Sequence, residues 1–164
     1  MNLPVGEAIE QGIRLVDFDE KATLEMLAEK MFSGYVVVTI EGFKGVEEGL
    51  LLIKKGVIVG ALYEYTKHEI TVLGDSALPQ AFNAFAAKNG IAEIYSLSNQ
   101  QVDLVTAFND KIKTAQEIGR RSFGKFFAKR YDISFAEKTL EGVVKEHESR
   151  KDVFKRLGLT GLGE

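Results

Sequence analysis

The stretch GLLLIKKGVIVGALYEY, residues 49 to 65, constrains the fold more than any other part of this chain. Two short apolar runs flank Lys54-Lys55-Gly56, and that arrangement predicts a β-hairpin. Gly56 can supply the positive φ that a tight turn demands, while the lysines keep the tip in water. Just upstream, YVVVTIE (35 to 41) is rich in β-branched residues, so three neighbouring antiparallel strands are expected.

Helices are expected around them. After an irregular start, Asp19 is placed to cap a helix whose Leu24, Leu27, Ala28 and Met31 recur at helical spacing, ending near Ser33-Gly34. Acidic Glu20 lies near the positive end of its dipole. Turn chemistry at Gly74-Asp75-Ser76 offers Asp75 or Ser76 as a cap for a second helix, with Pro79 in its first turn and Asn89-Gly90 as its left-handed stop. IAEIYSL, 91 to 97, reads as a fourth strand. Ser98 or Asn99 then starts a helix with Val102, Val105 and Phe108-Asn109 on its buried stripe.

Beyond residue 111 the pattern is helical but interrupted, since Gly119 and Gly124 each cost about 1 kcal/mol inside a helix. Ser134 and Glu137 have the form of a capping box. After them Leu140, Val143, Val144, Phe154 and Leu157 mark a long helix closed by Lys155, Arg156 and Gly158. The expected fold class is therefore α+β: an antiparallel sheet with a central β-hairpin, packed by helices, plus a helical C-terminal extension. Residues 1–110 form the core, 111–158 an extension packed on the core or on a partner, and 159–164 a frayed tail.

GYVVVTIEGFKGVEEGLLLIKKGVIVGALYE, 34 to 64, opens a strand with Gly-Tyr, passes through a variable loop, and closes another strand with Gly-Ala-x-Tyr-Glu. It resembles the core of an archaeal protein family of unknown function. IYSLSNQQVDLVTAFN, 94 to 109, is similar to that family's strand-to-helix signature, so the resemblance covers residues 1–110. It implies structural residues and no catalytic one. More remotely, the glycine-punctuated strands resemble the PATAN domains of bacterial signalling proteins, which implies a regulatory protein-binding module.

Several chemistries find no support in the residues. The chain has no cysteine, which removes disulfides, a thiolate nucleophile and a thiolate zinc site. GFKGVEEG, 42 to 49, lacks the spacing of a phosphate loop, and Glu47 and Glu48 would repel phosphate. His68 and His147 are too far apart in sequence to suggest a ligand pair, and Asp17-Asp19 and Glu146-Glu148 suit solvated helix ends. Ser122 has no nearby base and no nucleophile elbow around it. No catalytic, cofactor or metal residue is assigned, and an enzyme or small-ligand protein with an unrecognised site is the minority reading. The first residues show no secretory signal, the apolar runs are too short to span a bilayer, and a cytoplasmic location is expected.

What remains is GRRSFGKFFAKRY, 119 to 131. The net charge of −3 hides a local field, because residues 111 to 131 carry +6 and the rest −9. As a helix the segment would gather Phe123, Phe126, Phe127, Arg130 and Tyr131 on one stripe. The plain expectation is a stripe packed on the body of the fold. The functional expectation is a regulatory or protein-interaction module, self-associating, in which Arg120, Arg121, Lys125, Lys129 and Arg130 meet an acidic protein partner or a second copy. Nucleic acid bound through the same segment is the alternative, with an anionic membrane surface behind it.

Overall fold

The computed structural model describes residues 3–141. It divides into two compact units, Met1–Asp132 and Ile133–Glu164. The expected long helix beyond residue 141, with Val143, Val144, His147, Phe154, Leu157 and the 159–164 tail, lies outside the described residues.

The first unit is built on an antiparallel sheet. The strands are β1 (Glu7–Arg14), β2 (Gly34–Gly42), β3 (Gly45–Lys54), β4 (Val57–Tyr65), β5 (Ile70–Leu73), β6 (Gly90–Ser96) and β7 (Lys113–Ile118). Their order is β1-β6-β2-β3-β4-β5, with β7 also pairing with β4. The fold is α+β, as expected, with the hairpin at its centre. Lys55 and Gly56 both have positive φ (49° and 80°), the two-residue turn whose twist matches that of the strands it joins.

Four helices accompany the sheet in this unit: α1 (Glu20–Glu29), α2 (Leu78–Phe85), α3 (Asn99–Phe108) and the single turn α4 (Arg120–Phe123). One face of the sheet packs Tyr35, Val37, Leu50, Leu52 and Leu62 with Val102 and Val105 of α3. On the other face Gly49 allows Ala81 of α2 to come close, where a Cβ would press on Val38, Ala81 and Tyr63. Cover on both faces explains why VVV (36–38) and LLLI (50–53) are apolar without alternation. Asp19 caps α1 by accepting the Ala22 amide at 2.9 Å. Ser98 and Gln101 form a reciprocal capping box on α3, and Pro79 sits in the first turn of α2.

Several local expectations are corrected. Residues 7 to 14 are a strand, because β6 has a free edge that their backbone groups can satisfy. Lys113–Ile118 is also a strand and not helical, since β5 covers only residues 62–65 of β4 and leaves 58–60 for β7. Asp75 does not cap α2; it accepts the Ala115 amide and ties β7 down. Helix α1 ends at Glu29, ahead of Ser33-Gly34, and α2 ends at Phe85, so Gly90 opens β6 and stops no helix. Phe108 is 82% exposed and not part of the stripe of α3. In the second unit, residues 134–141 are helical, with the Glu137 amide bonded to the Ile133 carbonyl.

Candidate functional site

The segment 119–131 forms a strap: its helix is confined to α4, with Gly119 and Gly124 at its two ends as the interrupted pattern led one to expect, and the amphipathic stripe does not continue beyond it as a helix. After α4 come two tight turns, in which Lys125 N–H bonds to the Ser122 carbonyl and Phe126 N–H to the Phe123 carbonyl. Beyond the helix a single ring collects both of the following aromatics. Phe126 stacks on Phe82 of α2 with centroids 5.3 Å apart, and Phe127 meets the same ring edge-on at 5.6 Å. Phe123 is buried, and Tyr131 is half-buried. Helix α2 thus lies between sheet and strap, which explains why LPQAFNAF is buried nearly all round.

Beneath the strap lie Glu47, Gln80 and Asn83, the buried polar side chains of the described residues. Glu47 Oε1 accepts the Phe43 amide at 2.8 Å. Its Oε2 accepts the Tyr63 hydroxyl at 2.6 Å and the Tyr131 hydroxyl at 3.1 Å. Gln80 accepts the Tyr65 hydroxyl at 2.6 Å and donates to the Ser76 carbonyl. Asn83 clamps one main-chain unit of the strap: its Nδ2 donates to the Asp132 carbonyl at 3.0 Å, and its Oδ1 accepts the Asp132 amide at 2.7 Å. Burial first, then hydrogen bonding and charge at Glu47, push the Tyr63 phenol far up. Burial first, then the Glu47 charge, raise the Tyr131 phenol. Both hydroxyls therefore serve as neutral donors to a carboxylate.

The expected contact residues separate into two groups. Arg120 bonds to Glu29 at 2.6 Å and approaches Glu25 at 4.0 Å, which ties α4 to α1 in an exposed ion pair. Arg121, Lys125, Lys129 and Arg130 are exposed and make no ion pair among the described residues. On the other face of the sheet, Glu48 lies directly across from Glu64, and Glu93 belongs to the same face two strands over. Burial, and then the Glu64 carboxylate, hold the Glu48 carboxyl above its usual range. Sequence reasoning missed the groove. Glu47 was legible only as a repellent for phosphate, and nothing local links it to Asn83 or Tyr131.

Asp17 pairs with Arg14 at 2.6 Å, and GFKGVEEG is the β2–β3 hairpin end, whose Gly42 and Gly45 face each other. A cleft of about 220 Å³ lies between α3 and β7, with Lys54, Lys113, Asp103 and Glu117 in its walls. Its charges are of both signs, and Lys54 is held by Asp103. Among the described residues no helix is long and apolar enough to cross a membrane.

Residues 1–109 match a protein family described as uncharacterized protein conserved in archaea (DUF2226). No curated protein and no solved structure matches the chain.

Proposed function

The chain belongs to this archaeal family through its first 109 residues, and on that footing we propose that it is a non-enzymatic, regulatory protein-interaction module that self-associates through the outer side of its basic strap. The observation that carries this reading is the division within residues 119–131. The rings turn inward onto Phe82 and Glu47, while Arg121, Lys125, Lys129 and Arg130 face solvent.

An acidic protein surface is the chemical complement of such a strap. The chain carries one of its own. Glu48 and Glu64 are like charges set directly opposite in a sheet, an arrangement that destabilises unless a cation relieves it. The strap lies over α2 and the paired carboxylates lie on the reverse face, so the contact between copies is heterologous.

Sedimentation at low and high salt tests this. Wild type is expected to gain mass with concentration and to lose that gain as salt screens the contact. Arg121→Glu/Lys125→Glu should stay monomeric, and mixing it with Glu48→Lys/Glu64→Lys should restore association. Equal mass for wild type and the strap variant would discard the proposal. Nucleic acid competes for the same cations but would need the rings for stacking, and Phe126 and Phe127 are already engaged with Phe82. A salt-sensitive shift with mixed RNA or DNA, and no self-association, would select that alternative.

A further inference from the structure

We infer that the groove under the strap is a peptide-recognition site. The chain's own residues 126–132 close it in cis. Its ligand in trans is a segment of a partner protein with the same pattern: two adjacent aromatics and a tyrosine four residues beyond the second.

Three contacts of different kinds define that pattern. Phe82 offers its ring to two aromatics at once. Glu47 takes the phenol, and it is ready to do so without the strap, because Tyr63 and the Phe43 amide already hold the carboxylate in place. Asn83 reads the main chain, since its carboxamide pairs donor to carbonyl and acceptor to amide of one residue whatever the side chain there. Gln80 and Tyr65 satisfy each other, so neither waits on an occupant. These groups project from β3, β4 and α2, rigid elements of the kind that hold a binding site open.

Recognising groups and occupant fall in different parts of the chain. Glu47, Phe82 and Asn83 lie inside the family-matched residues 1–109, and Phe126, Phe127, Tyr131 and Asp132 lie outside them. The strap also leaves the sheet through weakly built turns. A Cβ at Gly124 would touch nothing within 4 Å, and one at Gly119 would meet only Val57 at 3.8 Å. Glycine there fills no tight space and leaves the chain free to turn. Lifting the strap breaks the ties to Phe82, Glu47 and Asn83 while the strand pairings of β7 can stay intact.

Binding of a labelled synthetic peptide of residues 126–134 to the full chain tests the site, and that peptide omits Arg121 and Lys125, the cations probed above. Wild type is expected to bind weakly, because the tethered segment competes at an effective concentration of roughly millimolar. Phe126→Ala/Phe127→Ala in the chain should empty the groove and tighten peptide binding at least about tenfold. Adding Asn83→Ala, or removing the two phenylalanines from the peptide, should abolish that gain. A folded Phe126→Ala/Phe127→Ala variant that ignores the peptide, or that dimerises without taking it up, would overturn the assignment. Should that variant fail to fold, hydrogen exchange on wild type decides. The Asp132 amide must exchange at least roughly a hundredfold faster than amides of β2 and β3, and equal rates would show that the strap opens only on global unfolding.

Discussion

Glu20 occupies the first turn of α1, where the helix dipole favours a carboxylate. Burial, and then the neighbouring Asp19 charge, outweigh the dipole and raise its pKa from 4.5 to about 7. Its Oε2 is buried with no hydrogen-bond partner among the described residues, an arrangement that disfavours the ionised form. The sign of the linkage follows. A carboxyl whose folded pKa is raised binds its proton more tightly when folded, so its contribution is present below about pH 4.5 and is lost as pH rises through about 7. Glu20→Gln is therefore expected to stabilise by about 1 kcal/mol at pH 8, after discounting for solvent screening, and by nearly nothing at pH 4.5. Urea unfolding at the two pH values checks this, and an equal gain at both would refute it. Glu47, which is 2% exposed, differs in its partners: three donors converge on it. Sequence alone puts these two glutamates on the same footing.

Among the elements, the β3–β4 hairpin was legible because its causes are local. Lys54-Lys55-Gly56 interrupts two apolar runs, and the turn needs positive φ at both central positions. The amide of Gly56 also donates to the Phe32 carbonyl at 2.8 Å, and a Cβ there would run into the backbone of Ala28. Gly56→Ala is accordingly expected to cost about 2 kcal/mol, while Lys55→Asn should be neutral or slightly stabilising. Equal midpoints in urea for wild type and Gly56→Ala would contradict this. The caps at Asp19 and Ser98 were legible for the same reason, since partner and cap lie three residues apart. The strap was not. Its periodicity describes a helix, but Phe126 and Phe127 share the ring of Phe82, which lies some 40 positions upstream.

Across the whole molecule, order should fall off from the centre of the sheet towards β1. That strand is exposed on both faces, and its pairing with β6 carries two register shifts. β2 and β3, by contrast, are paired on both edges and largely buried. Amides of β1 are expected to exchange with solvent well before those of β2 and β3, because local opening there exposes little apolar surface. Uniform protection across the sheet would count against this. The amino-acid sequence by itself determined the hairpin, the capped helices, the α+β class and the uneven charge, because each rests on neighbours within a turn or on composition. Only the tertiary structure decided that β1 and β7 are strands, that Arg120 is tied to Glu29, and that the strap closes over Glu47 and Asn83. Those outcomes depend on which distant backbone edges and buried polar groups are left to satisfy, and that becomes defined only when the chain has folded.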